Sequence, residues 1–336
     1  MSTVVDGQSL ADCAARWRIK MQETKKRASY VLVTAAYNEG KLIEQTIESV
    51  VSQSHQPAKW VIVSDGSTDD TDAIVTKYAS AHNFIQLCRL TEDHPRNFAA
   101  QSHAINSGIA RVSESKFDFI GNLDADITMS PSYFADLLQR FHHEPELGLA
   151  GGAVTERCED GVYRERKDNS ATSVAHAVQL FRRKCFLDMG GQYPALPFGG
   201  PDTYAEVTAR MKGWRVKSFS ELPIQHHRIT GSSGGMLRSC FRQGRMDHSL
   251  GTLPAFQLLK VLRRVLVSPY VIGAGARFFG FVYAYLRREP RAVSCDFVNY
   301  FRQEQSNRIR RLLNLNLSQE LNASPALRQT RNQQIS

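Results

Sequence analysis

Between Tyr30 and Phe141 the chain repeats one pattern four times. A short, nearly unbroken apolar run gives way to a turn and then to a segment with apolar residues at helical spacing. The runs are YVLVTAAY (30–37), WVIVS (60–64), FIQLCRL (84–90) and the FIGNL of FDFIGNLDADITM, with its strand over Phe119–Leu123. After the first, Leu42, Ile43, Thr46, Ile47, Val50 and Val51 recur at the helix period. The later spacing predicts helices over about 71–80, 98–112 and 131–141, with Pro131 suited to a first helical turn. Strands this apolar are covered on both faces, and their alternation with helices implies an α/β fold with a parallel sheet.

Such sheets bind ligands beyond the carboxyl ends of their strands, at the point where strand order reverses. The polar signals fall at those ends: Tyr37-Asn38-Glu39 after the first run, Asp65 after the second, Asp124 and Asp126 after the fourth. In extended chain, residues two apart point the same way, so Asp124 and Asp126 are placed to share one cation. Hard divalent ions take carboxylate oxygens together with those of a bound phosphate. Taken alone, D-x-D equally describes a strand-end turn with its acids in water. No G-x-G-x-x-G follows the first strand and no P-loop is present, which argues against a dinucleotide oxidoreductase or a P-loop NTPase.

Four segments carry a resemblance: VTAAYNEGKLIEQTIESVVSQ, WVIVSDGSTDDT, RNFAAQSHAINSGI and FIGNLDADI. In this order, within about Tyr30 to Arg245, they closely resemble the family 2 glycosyltransferases of GT-A fold. The resemblance implies a Rossmann-like, mostly parallel sheet flanked by helices, with a nucleotide half over about 28–128 and an acceptor half over about 129–250. It implies a UDP- or GDP-sugar donor and a Mn2+ or Mg2+ ion. Tyr37 would lie against the base, Glu39 near the nucleotide, and Asp65 would accept hydrogen bonds from a base N–H. Arg96 would contact the nucleotide or its phosphates, Asp124 the ribose and metal, and Asp126 the metal. Core packing for Tyr37 and a plain surface position for Arg96 remain open.

QLFRRKCFLDMGGQYPALPFGGPDTYAEVTARMKGWRVKSF matches the family's acceptor region and puts Asp202 where the family carries its general base. A carboxylate there takes the acceptor hydroxyl's proton. One base without a nucleophile implies a single displacement with inversion. Pro201 stands where the family often has a second acid, and Asp202 is also suited to cap a helix over 203–212. LPIQHHRITGSSGG resembles the segment that closes over the donor, with His227 or its neighbour His226 as a further metal ligand, Arg228 a phosphate contact, and Gly231, Gly234 and Gly235 a mobile lid. FRQGRMDH (241–248) falls near the Gln-x-x-Arg-Trp of processive synthases. Gln243 and Arg245 are one residue too close there and Met246 replaces Trp, which favours single-sugar transfer.

The net charge of +9 sits at one end: residues 256–336 hold 13 Lys+Arg and 4 Asp+Glu, and the rest of the chain is balanced. Val265–Leu286 is long enough to span a bilayer. Arg277 near its centre, Ser268-Pro269, three glycines and arginine pairs at both ends count against spanning. Two readings stand for this region: an element lying on an anionic membrane surface, and a helical subdomain packed on the catalytic core. Residues 1–27 read as a polar, partly helical extension, 251–317 as a basic helical region and 318–336 as a disordered tail.

The six cysteines form no C-x-x-C pair and the N-terminus lacks a signal-peptide core, which suggests a cytoplasmic protein, at the inner face of the cytoplasmic membrane if the basic region binds it. The expected acceptor is a saccharide or a polyprenyl-linked one, in exopolysaccharide or surface-glycan synthesis. A sugar-phosphate nucleotidyltransferase would need a Gly-rich phosphate loop that TAAYNEG lacks. A nucleic-acid-binding role would leave the strand-end motifs without explanation, so no nucleic-acid partner is expected.

Overall fold

Tyr30, Leu32, Trp60 and Ile62 belong to one buried layer, while Val31, Val33, Val61 and Val63, the residues between them, belong to a second. This period-two division places the sheet between two apolar layers, as the continuous runs require. The computed structural model describes residues 28–91, 98–157, 161–166, 169–228, 235–265 and 270–323. The chain runs β1 (Tyr30–Ala36), α1 (Ile43–Val51), β2 (Lys59–Ser64), α2 (Thr71–Ala81), β3 (Ile85–Arg89), α3 (Phe98–Val112) and β4 (Phe119–Leu123). It continues through β5 (Ile127–Met129), α4 (Tyr133–His143), β6 (Leu147–Arg157), β7 (Tyr163–Glu165), β8 (Val178–Arg182), α5 (Arg183–Asp188), α6 (Pro201–Met211) and β9 (Arg215–His226). Ile43 and Ile47 of α1, Val75 of α2 and Phe134 and Phe141 of α4 fill the first layer. Ile105 and Ile109 of α3, Phe186 of α5 and Ala205 of α6 fill the second.

Among the described residues the sheet has nine strands in the order β3-β2-β1-β4-β8-β6-β9-β5, with β7 on β6. It is parallel from β3 to β4. Beyond β4 it is mixed, because β8 runs antiparallel to both β4 and β6, and β5 antiparallel to β9. The mostly parallel sheet expected from the sequence is parallel from β3 to β4 and mixed beyond. Strand order reverses between β1 and β4, so the crevice beyond their carboxyl ends is the switch point.

Four helices complete the described chain: α7 (Met236–Ser249), α8 (Pro254–Arg264), α9 (Tyr270–Leu286) and α10 (Cys295–Ala323). Helix α10 runs past Ser318, where the polar composition suggested a disordered tail; residues 1–27 and 324–336 lie outside the described residues. Phe297 and Phe301 of α10 pack with Leu196, Val207 of α6 and Leu250. Helices α7 and α9 cross at two glycines. A Cβ on Gly244 would run into the Arg277 carbonyl and one on Gly280 into that of Phe241, both backbone atoms that cannot step aside. Gly244→Ala is therefore expected to cost about 1–3 kcal/mol by overpacking, read as a lower melting midpoint.

Arg277, the charge in the middle of the apolar run, points inward. Its Nε donates to Asp247 at 2.8 Å and Lys260 donates to the other carboxylate oxygen at 2.7 Å, with Asp247 only 1% exposed. Burial works to raise the Asp247 carboxyl, and the two cations outweigh it and hold it low. The C-terminal helices are thus tied together by buried charge, and α10 packs on α6 through Phe297 and Phe301. Their outer face still carries Leu258, Leu262, Val271, Ile272, Phe279 and Leu286, all exposed. Among the described residues no helix is long and apolar enough to cross a membrane.

Candidate active site

The loops after β1 and β2 are laced together before any ligand is considered. Asn38, at φ 53°, accepts the Thr68 amide at 2.8 Å and donates its own amide to the Ser67 hydroxyl. The Glu39 amide donates to Thr71 Oγ1 at 2.8 Å, and the Gly40 amide to Asp69 at 2.9 Å. The hydrogen bond from Thr71 holds the Asp69 carboxyl below its usual range. DGSTDDT thus holds the Asn-Glu-Gly turn in place, with Asp65 buried at the end of β2 and Tyr37 45% exposed at the outer rim.

Asp124 and Asp126 leave β4 at the switch point. The Asp124 amide donates to the Ala177 carbonyl at 2.9 Å, and Thr46 of α1 donates to the Ala125 carbonyl at 2.8 Å, fixing the turn between the two acids. His226 at the end of β9 brings Nε2 to 3.2 Å from Asp126 Oδ1. One donor atom from each of Asp124, Asp126 and His226 lies within 4.8 Å of the others, and the described residues hold no other such group of three. Two carboxylates and an imidazole suit Mn2+ well and are compatible with Mg2+ through the oxygens. The donor set therefore fits a divalent cation.

The histidine is His226 rather than His227. Neighbours in an extended segment face opposite ways, so His227 turns from the acids. Its Nδ1 lies 2.7 Å from the Tyr163 hydroxyl and its Nε2 2.9 Å from Thr128 Oγ1, which engages both ring nitrogens. Burial pushes His227 down. Burial also works against a charged His226, and there the Asp126 carboxylate wins and raises it.

The same alternation returns Arg228 to the site. Its guanidinium grips Glu39 with two hydrogen bonds, at 3.0 and 2.5 Å, and its Nε stands 3.6 Å from Asp126 Oδ2. Burial pushes the Glu39 carboxyl up and the charges of Asp126 and Asp124 add to this, against the pull of Arg228. Burial would raise Asp124 as well, and His176, with Nδ1 at 3.7 Å, together with the charges of His226 and Arg228, holds it low. Arg96, the lid glycines Gly231 and Gly234, and residues 266–269 of the apolar run lie outside the described residues.

Asp202 opens α6. Gly199 and Gly200 enter the helix at φ 92° and 93°, a backbone that side chains rarely adopt, and Pro201 takes its first turn. The helix begins earlier than the spacing suggested, so Gly200 holds the capping position and Asp202 lies within the first turn, where an acid favours the helix dipole. Tyr193 packs its ring on His176, 5.4 Å between centroids, and donates its hydroxyl to Gln179; burial raises that hydroxyl, and the charges of Asp124 and Asp202 add to the rise. Gln243 and Arg245 are engaged in packing α7, Gln243 with Arg277 and Arg245 with Glu289 and the Phe198 ring. His176 and Tyr193 were not legible in the motifs, because each reaches the site from a loop without periodicity.

The model of the family described as glycosyl transferase family 2 matches residues 31–223. A poly-β-1,6-N-acetyl-D-glucosamine synthase of Staphylococcus aureus is 22% identical over 246 residues, covering 68% of this chain and 57% of the relative. The chain thus spans little more than half the length of this curated relative. The mannosyltransferase PcManGT from Pyrobaculum calidifontis, solved with GDP-Man and Mn2+, is similar over 88% of each chain at 16% identity, with a TM-score of 0.53. S. aureus TarS 1-349, solved with UDP-GlcNAc, covers 84% of this chain and 92% of its own at 14% identity, with a TM-score of 0.52. These two likenesses concern the fold, which is GT-A. With the family match spanning more than half of its length, the chain belongs to glycosyl transferase family 2.

Proposed function

We propose that this glycosyltransferase moves one sugar from a UDP- or GDP-sugar to a saccharide or polyprenyl-linked acceptor with inversion, in surface-polysaccharide synthesis. The observation that carries the reading is the group of Asp124, Asp126 and His226 at the switch point. Tyr37, Glu39 and Asp65 lie at the ends of the neighbouring strands, on the side where the nucleotide would sit. Arg96 would add a phosphate contact. A bound divalent cation, Mn2+ or Mg2+, supplies positive charge against the nucleoside diphosphate leaving group. Asp126, Asp124 and His226 would hold it, and Arg228 stands beside Asp126 with a second positive charge for the phosphates. Asp202 would take the proton from the acceptor hydroxyl as its oxygen bonds to the anomeric carbon and the bond to the diphosphate oxygen breaks. The test is a panel of UDP- and GDP-sugars with Mn2+ and Mg2+, read as donor hydrolysis and transfer. Metal-dependent turnover of at least one sugar nucleotide is expected, and none with any donor would refute the reading.

The proposed partner of the C-terminal helices is an anionic membrane surface, at the inner face of the cytoplasmic membrane. Supporting it are the exposed Leu262, Val271, Ile272 and Phe279 and the exposed arginines Arg263, Arg287 and Arg288 on the same subdomain. The full chain is expected to float with anionic vesicles at low salt. Each arginine replaced by Gln near the surface should weaken binding by about 1 kcal/mol, roughly fivefold. Absence of flotation at low salt would sink the membrane reading and leave the transfer reading intact.

A further inference from the structure

Sequence motifs leave Glu206 unassigned, yet it is a carboxyl side chain only 6% exposed, one helical turn beyond Asp202. On α6 the two acids share a face. Glu206 Oε1 accepts two hydrogen bonds from the segment before β8, from the Ser173 hydroxyl at 2.9 Å and the Val174 amide at 2.6 Å. Arg210, a turn further on, reaches the Thr172 carbonyl at 3.4 Å and is itself held by Glu304 of α10 through two hydrogen bonds.

The segment that Glu206 holds leads directly to the metal acids. Three residues after Val174, the Ala177 carbonyl accepts the Asp124 amide, and His176 between them lies against the Asp124 carboxylate. Asn122 donates to the His176 carbonyl at 2.6 Å, tying the same segment to β4. Gln179 donates to the Val174 carbonyl at 3.1 Å and accepts from the buried Tyr193 hydroxyl at 2.9 Å. Residues 173–179 thus form a strap with one end on the helix of Asp202 and the other on the strand end of Asp124.

We infer that Glu206 is a positioning residue for transfer: by gripping the strap through Ser173 and Val174, it fixes the helix that carries Asp202 at a set distance from the acids that hold the donor. The inference rests on the proposed role of Asp202. A base must meet the acceptor oxygen while the anomeric carbon is held from the other side, and a misplacement of 1 Å costs about 100-fold in rate. Burial pushes the Glu206 carboxyl up to about 8, the Asp202 charge adding to it, so at neutral pH it is a carboxylic acid. Gln is its close replacement, since the amide oxygen accepts the same two hydrogen bonds.

The experiment compares Glu206→Ala, Glu206→Gln and Ser173→Ala with wild type in kcat, donor KM, Mn2+ affinity and hydrogen exchange of residues 169–178. Glu206→Ala is expected to lower kcat roughly 10- to 100-fold, with donor KM and Mn2+ affinity unchanged and faster exchange in the strap. Glu206→Gln should recover most of kcat. Ser173→Ala removes one of the two bonds without touching α6, so it should give the same pattern at smaller size and decides the matter if Glu206→Ala fails to fold. Wild-type kcat in Glu206→Ala, a parallel loss of donor binding, or a Gln variant as slow as the Ala variant would each overturn the inference. If the wild type turns over no sugar nucleotide, the transfer reading fails by itself, and unchanged strap exchange in Glu206→Ala refutes the grip independently.

Discussion

Asp202→Asn is expected to bind donor as the wild type does and to transfer almost nothing. Asn keeps the shape of the side chain and an oxygen to accept the Thr203 amide, a 2.7 Å contact in the structure, so the first turn of α6 should persist. What it loses is the ability to take a proton. General-base catalysis contributes about 100- to 10,000-fold, and kcat at saturating donor should fall by that amount. Calorimetric titration with the sugar nucleotide and Mn2+ should give an unchanged donor affinity, because the acids proposed to hold the metal lie at the switch point, on other elements. Full transfer by this variant would remove Asp202 from the mechanism and return it to a helix-end role.

Asp126→Asn should show the opposite division. Asp126 is 6% exposed and stands between His226 at 3.2 Å and Arg228 at 3.6 Å. The neutral amide takes one charge from the ligand set and leaves both neighbours less well balanced. Outer-shell changes at metal sites already cost about 10- to 100-fold in affinity, so loss of a direct ligand should cost at least about 100-fold. Titration of Mn2+ by electron paramagnetic resonance reads this without turnover, and metal-stimulated donor binding should vanish with it. Unchanged Mn2+ affinity would take Asp126 out of the metal site.

The nucleotide half was legible because each of its strands is one apolar run closed by a turn, and because parallel strands bring their polar endings to one edge. Asp124 and Asp126 needed only that rule. The second half resisted because its strands carry weak signals: β6 reads LGLAGGAVTER, and a Cβ at Gly151 or Gly152 would strike the backbone of Val178 or Leu222. Close approach of strands demanded glycine there, which erases the β-branched signature. The choice between His226 and His227 turned on strand parity alone, and the end of β9 could not be placed to one residue from composition. Arg277 was read from its cost in lipid, whereas its partners Asp247 and Gln243 lie 30 and 34 residues back in sequence and are found only through packing.

The grip of Arg228 on Glu39 has a consequence in time. The two residues are separated by 189 positions, and the cluster they close also needs Asp124, Asp126 and His226. At about 5–20 residues per second, a ribosome makes Arg228 roughly 10–40 seconds after Glu39. Throughout that interval the acids of β4 can be present without either cationic partner, so a nascent or truncated chain ending before β9 holds a cluster of like charges instead of a site. On the proposed ligand set, the ability to hold the metal is expected only of a chain synthesised past His226, and a chain cut short of that point is expected to stay idle.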